Sequence, residues 1–359
     1  MRRFSYTYIF VILMFFAFSC NKTPKNEEVR GLVDTVGFAH KGYQVDSVVA
    51  RAYREFPGKF QNDTSGSPWK VVICPHDDHA YVSYLYPALL KNVKAKTVIV
   101  FGVAHKAWKL HLQDKLVFGS FDKWKSAYGN IKVSPLRNEI IKALPKEDYM
   151  INDTMMAIEH SIEAILPFLQ KFNGDIEIVP ILVPYMSYDR MQEIAPKLAK
   201  AIEKATGKHN MKWGEDFAII ISTDAVHYGD QDWGGTNLAP YGADSAGYKK
   251  AVAHEYEIIN NTLTGEITPE KIKQFTHYTV QDTNYKEYKW TWCGRYSVPM
   301  GLLTAYYLEK DLNQNLKGTL VGYATSIDHP KLKVEDLGMG ITAPANIHHW
   351  VGYAALGYK

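Results

Sequence analysis

The sequence Val71-Val72-Ile73-Cys74-Pro75-His76-Asp77-Asp78-His79 joins an uninterrupted apolar run to a cluster of ligand-type side chains. Because the run is apolar on both faces, it predicts a strand that helices cover on each side, as in a parallel sheet. Pro75 has no N–H to donate and is expected to end the strand. Sites in open parallel sheets form beyond the carboxyl ends of the strands, so we expect the chemistry at residues 76–79.

Two further apolar runs end in the same way, and each delivers a histidine. Residues 97–103 are followed by His105, and residues 217–221 lead into Asp224 and His227. Residues 176–183 predict another buried strand, in which Pro180 indicates a bulge or an edge position. The loop that follows His227 is long for a compact domain and is typical of a cleft wall.

Segments with helical spacing alternate with these strands. The pattern favours an α/β fold, with three α/β/α layers around a central mixed, largely parallel sheet. No linker divides residues 31–359, which we expect to form one domain. Helices are predicted at residues 45–56, 84–93, 134–144, 155–172 with a kink at Pro167, 191–205, 251–263 and 297–309, and late strands at 320–325 and 351–355.

Composition and missing motifs exclude several classes of function. The 359 residues are 46% hydrophobic and 22% charged, as in a globular protein, and the net charge is only +3. No basic runs interleave with aromatic residues, so nucleic acid is not an expected partner. Glycine-rich nucleotide loops, zinc-protease His-Glu-x-x-His motifs and lipase-type Gly-x-Ser-x-Gly motifs are all missing from the sequence.

The N-terminal segment predicts export. Residues 1–19 carry a positive start and an apolar stretch of about ten residues, too short to span a bilayer, and read as a signal peptide. Cys20 then resembles the lipidated residue of a bacterial lipoprotein, and residues 20–30 read as a flexible tether. We therefore expect a cell-envelope lipoprotein, periplasmic or anchored to the outer membrane, in a compartment where Cys74 and Cys293 could form a disulfide.

Histidines at the ends of separate strands predict a metal site. His76 and His105 lie about thirty residues apart and converge if their strands are neighbours. Cys293 would add a thiolate, and it precedes Gly294, which allows close backbone approach, and Arg295, whose charge favours the thiolate. Such a donor set suits zinc, copper or iron better than magnesium or calcium. The alternatives are hydrogen-bonded loop histidines and a buried apolar cysteine.

Three other residues are candidates for positioning and proton transfer. Asp224 and His227 are spaced to enter one cleft, one orienting a ligand and the other acting as acid or base. The alternative is an aspartate turn with a surface histidine. His160 is the third candidate, whereas the helix dipole is a sufficient reason for the neighbouring Glu159.

Five ordered blocks resemble the Memo family, whose bacterial members are often labelled AmmeMemoRadiSam system protein B. The resemblance covers essentially the whole mature chain. The blocks are Pro75-His76 with Tyr81, similar to Pro-His-Ala-Gly-Tyr-Thr-Tyr; Phe101-Gly102-Val103-Ala104-His105, similar to Leu-Gly-Pro-Ser-His; Glu159-His160-Ser161-Ile162-Glu163 with Leu166-Pro167-Phe168, similar to Glu-His-Ser-Ile-Glu and Leu-Pro-Phe; Ser222-Thr223-Asp224 with His227-Tyr228-Gly229, similar to Ser-Ser-Asp and His-Trp-Gly; and Cys293-Gly294-Arg295, similar to Cys-Gly-Arg.

This resemblance implies a fold like that of class III extradiol dioxygenases and a redox-active metal, iron or copper. The positions that match the family's ligands are His76, His105 and Cys293. Ring-cleaving enzymes of that fold hold iron with two histidines and a carboxylate, so the cysteine argues against catechol cleavage. Fold alone does not settle the reaction.

The chain departs from the family pattern around the expected site. Asp77, Asp78 and His79 replace Ala, Gly and Tyr, Lys106 replaces a second His, and Tyr296 replaces another. The surroundings of the metal are therefore expected to differ. His79 is expected to line the cleft or to supply a fourth ligand.

The sequence leads to one main functional hypothesis, a metal-dependent, dioxygenase-like redox enzyme that acts on a small-molecule substrate. Zinc suits that chemistry less well than iron or copper. One alternative is a non-catalytic metal-binding or metal-chaperone protein with the same site, and another is a metal-free cysteine nucleophile. The residues expected to serve are His76, His105 and Cys293 on the metal and His227, Asp224 and His160 around it.

Overall fold

A single sheet of thirteen strands forms the middle layer of the computed structural model, which describes residues 27–58 and 66–359. Continuous apolar runs form its central strands, because these strands are covered on both faces. The strands are β1 Val29–Arg30, β2 Val71–Cys74, β3 Thr97–Val103, β4 Leu116–Phe118, β5 Lys123–Trp124, β6 Ile131–Val133, β7 Tyr149–Ile151, β8 Glu177–Val183, β9 Phe217–Ser222, β10 His227–Gly229, β11 Gly265–Glu266, β12 Lys317–Thr325 and β13 His349–Tyr358.

The sheet is mixed, with a parallel centre. Its order is β1-β5-β6-β8-β3-β9-β2-β13-β12-β11, while β10 pairs with β13, and β4 pairs with β7 and β8. Strands β6, β8, β3, β9 and β2 run parallel, and β13, β12 and β11 extend the sheet in antiparallel order. The predicted α/β fold with a mixed central sheet is confirmed.

Helices cover both faces of the sheet. Val71 and Ile73 of β2 belong to one apolar core, and Val72 and Cys74 belong to the other, as the alternation of a strand requires. The first core includes α4, α7, α9 and α10, and the second includes α1, α3 and α6. The helices are α1 Gly42–Glu55, α2 His79–Val82, α3 Tyr86–Leu90, α4 Leu136–Ala143, α5 Asp153–Ile158, α6 Leu166–Phe172, α7 Tyr188–Lys208, α8 Ser245–Ile258, α9 Pro269–Thr279 and α10 Ser297–Asp311.

The helix predicted at residues 155–172 is in fact two helices, α5 and α6, with a break between them. The carboxylate of Glu159 accepts hydrogen bonds from the backbone N–H groups of His160 and Ser161, both 2.9 Å long. Pro167 lies in the first turn of α6, where its missing N–H costs no helical hydrogen bond. The expected kink at Pro167 is therefore wrong, and the break lies at the Glu159 motif.

The bulge or edge position expected at Pro180 is also wrong. Strand β8 lies inside the sheet, and its register with β3 continues through the pair Val100 and Pro180. On its other side, β8 pairs with β6 at Glu177 and Ile178 and with β4 at Leu182. Pro180 falls between these two short partners, where a missing donor is tolerated.

Part of the predicted flexible tether, residues 29 and 30, is a strand of the sheet. Val29 and Arg30 form β1, which pairs with β5, and Arg30 is only 1% exposed. The predicted signal peptide at residues 1–19 and the lipidated Cys20 lie outside the described residues. Among the helices of the described part of the chain, none has the length and apolar character needed to cross a membrane.

Candidate metal centre

The carboxyl ends of three central strands deliver the candidate site. His76 follows β2, His105 follows β3, and Asp224 follows β9. The two histidines were expected to converge from neighbouring strands, but β9 lies between β2 and β3. The two imidazoles nevertheless meet above β9, with ring centroids 5.3 Å apart and the rings nearly perpendicular at 86°.

Hydrogen bonds fix the ring of His76 with its Nε2 atom directed toward Cys293. Its Nδ1 lies 2.8 Å from Ser222 Oγ, and that hydroxyl donates its own hydrogen to the carbonyl of Ser161 at 2.6 Å. Since the hydroxyl hydrogen is committed, Nδ1 of His76 must be the donor. Nε2 therefore carries a lone pair that a metal can use.

A buried carboxylate orients His105 in the same way. Glu159 accepts a hydrogen bond from Nδ1 of His105 at 2.9 Å and another from its backbone N–H at 2.7 Å. Burial alone would lower the pKa of His105, but Glu159 and Cys293 raise it to about 10. A metal at Nε2 would take the place of that proton.

Close packing brings Cys293 against the end of β9. A Cβ atom on Gly294 would lie 2.1 Å from Oγ1 of Thr223, so only glycine allows this approach. Sγ of Cys293 accepts a hydrogen bond from the backbone N–H of Asp224 at 3.0 Å and lies 3.6 Å from Nε2 of His76. The close backbone approach expected at Gly294 is confirmed.

The three predicted metal donors form one group. One ligand atom from each of His76, His105 and Cys293 lies within 4.8 Å of the others. Two imidazole nitrogens with occupied Nδ1 atoms and one sulfur fit a transition metal such as iron, copper or zinc. Burial raises the pKa of the Cys293 thiol, and a bound metal would deprotonate it.

A family model described as Memo-like protein matches residues 40–339, a span that contains all three donors. The chain belongs to the Memo family.

Sequence relatives agree with this assignment. A MEMO1 family protein of Methanosarcina barkeri is 29% identical over 161 residues, which is 44% of this chain and 54% of that protein. A MEMO1 family protein of Pyrococcus abyssi is 28% identical, and the match covers 44% of this chain and 52% of that protein. One of Aquifex aeolicus is 25% identical, and the match covers 44% of this chain and 54% of that protein. The chain thus spans about half the length of the curated relatives it matches, and the three-layer fold is consistent with the family's relation to extradiol dioxygenases.

The predicted acid–base residues surround the Memo donor group. His160 stacks on His105, with centroids 4.8 Å apart and an angle of 7°. Asp224 accepts a hydrogen bond from the backbone N–H of His76 at 2.8 Å, and His227 lies with Asp224 and Cys293 in a second group of donors within 4.8 Å. Burial and the nearby His105 lower the pKa of His227 to about 3 and that of His160 to about 4. Both imidazoles are therefore neutral at neutral pH.

His79 neither binds at the site nor lines the cleft. Its Nδ1 accepts a hydrogen bond from the backbone N–H of Ala39, and its Nε2 donates to the carbonyl of Ala164, both at 2.8 Å. With both nitrogens occupied and no exposure, His79 is part of the core. The two cysteines of the described residues, Cys74 and Cys293, are free and buried, so the disulfide considered from the sequence is not formed.

Cavities approach the donor group from two sides. A cavity of about 70 Å³ lies against His105 and Cys293. On the other side, His227 lines a cavity of about 210 Å³. A larger cleft of about 920 Å³ shares Tyr185, Tyr288 and Arg295 with the small cavity.

Sequence reasoning missed the residues that hold the donors in place. Glu159 was explained by the helix dipole, yet its carboxylate orients His105 and shapes the turn that carries His160. Ser222 was read only as part of a motif, yet its hydroxyl sets the tautomer of His76. The signal that could have identified Glu159 and Ser222 is their place in the sequence, because both lie in the motifs that supply the predicted site residues.

Proposed function

We propose that this Memo protein is a metal-dependent redox enzyme that holds iron or copper through His76, His105 and Cys293. One observation carries the proposal: the three donor atoms lie within 4.8 Å of one another, and both histidines have Nδ1 occupied. Support also comes from the family, whose motif positions these residues match. The substrate would be a small molecule that reaches the metal through the adjoining cleft.

The chain's own residues would orient the donors and move protons, while a bound metal of this kind would supply one-electron chemistry. Ser222 and Glu159 hold the two imidazole rings so that Nε2 faces the site. His227 is neutral, and its Nε2 has no hydrogen-bond partner among the described residues. Nε2 of His227 is therefore available to hydrogen-bond a substrate hydroxyl, the contact through which a proton would move.

Metal content after anaerobic purification tests this proposal. We expect close to one equivalent of iron or copper per wild-type chain and a loss of most of it in both Cys293→Ser and His105→Ala. His277→Ala is the matched control, because this histidine is exposed and pairs only with Asp282. Unchanged metal content in both site variants would overturn the proposal.

A second candidate function is metal binding without catalysis. The cavity beside His105 and Cys293 holds only about 70 Å³, which is little room for an aromatic substrate. Oxygen uptake by the metal-loaded protein with a panel of phenols separates the two functions. Uptake with at least one phenol supports the enzyme, and none with any phenol supports metal binding or delivery.

A metal-free cysteine nucleophile has less support. Burial raises the pKa of the Cys293 thiol, which leaves it protonated at neutral pH without a metal. Alkylation rates of the metal-free protein test this, because an activated thiolate would react faster than free cysteine.

We also propose that the protein is exported and anchored to the cell envelope by a lipid on Cys20. Support comes from the sequence of residues 1–20 alone. Labelling cells with a fatty-acid probe should mark the wild-type protein and leave Cys20→Ser unlabelled and released from the membrane fraction. Equal labelling of both forms would contradict the anchor.

A further inference from the structure

Arg295 is a buried cation without a counter-ion. Its side chain is only 5% exposed, and Nη2 donates to the carbonyl of Lys286 at 3.0 Å. Within residues 27–58 and 66–359, no carboxylate forms an ion pair with the guanidinium, and Nε and Nη1 have no hydrogen-bond partner of ordinary geometry, although the Tyr296 hydroxyl lies within reach of the side chain. An unpaired buried charge is costly, so a ligand that completes its bonding is expected.

The position of Arg295 shows where such a ligand would lie. Arg295, Tyr185 and Tyr288 line both the small cavity at His105 and Cys293 and the large cleft. The guanidinium stacks on the ring of Tyr288, with its Cζ 3.4 Å from the ring centroid, which holds it in place. A molecule that passes from the cleft toward the metal donors therefore passes beside Arg295.

The charge of the cleft favours an anion. Lys286 and Lys289 line it together with Arg295, and Glu287 is the one acidic side chain among the described lining residues. Clefts of one sign concentrate ligands of the opposite sign. Tyr185, Tyr288 and Trp290 present aromatic surface in the same cleft, which suits a flat ring.

We propose that Arg295 binds the carboxylate of an aromatic acid and holds its ring at the mouth of the metal cavity. The proposal rests on the proposed function, because it assigns a substrate class to the same site. The carboxylate would accept hydrogen bonds from the guanidinium of Arg295, and the ring would lie against Tyr185 and Tyr288. A carboxylate suits one free cation beside a cavity of about 70 Å³ better than a doubly charged phosphate.

Calorimetric binding of 4-hydroxybenzoate tests the inference, with 4-hydroxybenzamide as a neutral probe of the same shape and inorganic phosphate as a second anion. We expect 4-hydroxybenzoate to bind the full chain and the amide to bind at least about tenfold more weakly. Arg295→Met should lose at least about tenfold in affinity for the acid only, and Arg295→Lys should recover part of it. Lys289→Met, a cleft cation that does not line the small cavity, should change the affinity less than about threefold.

Two results would overturn the inference. One is equal binding, or no binding, of the acid and the amide by the wild-type protein, a comparison that needs no variant. The other is phosphate that binds more tightly than 4-hydroxybenzoate and depends on Arg295. Metal content measured on the same samples distinguishes the carboxylate site from the proposed metal site. If Arg295→Met holds metal and binds the acid normally, only the carboxylate site is refuted. If Cys293→Ser holds no metal but binds the acid, only the carboxylate site is supported.

Discussion

Two buried arginines, Arg30 and Arg295, differ in how their guanidinium groups are paired. Both guanidiniums are almost inaccessible and both stack on an aromatic ring, Trp124 for Arg30 and Tyr288 for Arg295. Arg30 is fully paired: it forms an ion pair with Glu163 and donates to the carbonyl oxygens of Met156, Gly31 and Glu159. Among the described residues, Arg295 has no carboxylate partner: Nη2 donates to the carbonyl of Lys286, and the other polar group near the side chain is the Tyr296 hydroxyl.

The difference in pairing suggests a structural role for Arg30 and a binding role for Arg295. Arg30 connects the first strand to the segment that carries Glu159 and Glu163, so its pairing fixes the turn that orients His105. Arg295 faces cavities, where an incomplete set of hydrogen bonds leaves room for a ligand. An unpaired buried charge that is retained at a cleft, despite its cost in stability, is typical of a binding site.

Replacing each arginine by methionine gives the largest expected difference in the free energy of unfolding. Arg30→Met leaves the Glu163 carboxylate buried without its cation and should destabilise the protein by about 3–5 kcal/mol. Arg295→Met loses a stacked cation but also removes an unpaired charge, so its stability should stay within about 1 kcal/mol of wild type. Urea unfolding of the two variants side by side measures both values.

A double variant checks the reason for the first effect. Arg30→Met with Glu163→Gln removes both charges and should be less destabilised than the sum of the single changes. Strict additivity would mean that the ion pair is not the cause. Equal losses in Arg30→Met and Arg295→Met would remove the distinction between a paired and an unpaired arginine.

A buried acid, Glu255, extends the comparison to a carboxyl group whose hydrogen-bond donors are all neutral. Glu255 accepts hydrogen bonds from the indole N–H groups of Trp290 and Trp292 at 2.5 and 2.7 Å and from the backbone of Val226 at 3.2 Å. Burial nevertheless raises its pKa from 4.5 to about 7. Since the folded-state pKa is raised, its stabilising contribution is complete below pH 4.5 and is lost as the pH rises through 7.

Unfolding free energies at pH 5 and pH 8 test this effect. Wild type should lose about 2 to 3 kcal/mol more than Glu255→Gln over that interval. Glu257→Gln is the control, because Glu257 is exposed and lies two residues away on the same chain segment. The assignment fails if Glu255→Gln and wild type show the same dependence on pH.

Sequence alone predicted the central strands and the donors because both follow from local patterns. Apolar runs fixed β2, β3 and β9, and the residues directly after them supplied His76, His105 and Asp224. The order of strands did not follow, because no local pattern shows that β9 lies between β2 and β3. The motif resemblance, rather than spacing, brought Cys293 to the site from far along the chain.

What the sequence could not supply was the pairing of polar atoms. His76 and His79 lie three residues apart and look alike as ligands, yet Nε2 of His76 faces the Cys293 thiol whereas both nitrogens of His79 are bound to the backbone. The partners that decide this, Ser222 and Ala164, are distant in sequence. Likewise, Arg295 was expected to favour a thiolate at Cys293, but its side chain contacts the carbonyl of Lys286 and the rings of three tyrosines, which are Tyr185, Tyr288 and Tyr296.

The smallest expected effect comes from the carboxylate that Arg30 helps to place. Glu159→Gln should weaken metal binding about 10- to 100-fold, because an amide cannot replace both oxygens that serve His105. Burial alone would raise the pKa of Glu159, but His105 and the N–H of Ser161 hold it well below its usual range, so the native group is ionised. Competition with a metal chelator measures the change in affinity.

Glu163→Gln serves as the matched control for this last prediction, because Glu163 lies in the same segment and contacts Arg30, Val33 and Asp34. If orientation of His105 is the cause, Glu159→Gln should lose metal affinity at a stability equal to or above that of Glu163→Gln. The reverse order, with Glu163→Gln weaker in metal binding, would make the fold of the segment the cause. A paired arginine would then matter to the site only through stability, and Arg295 would remain the arginine that acts at the cleft.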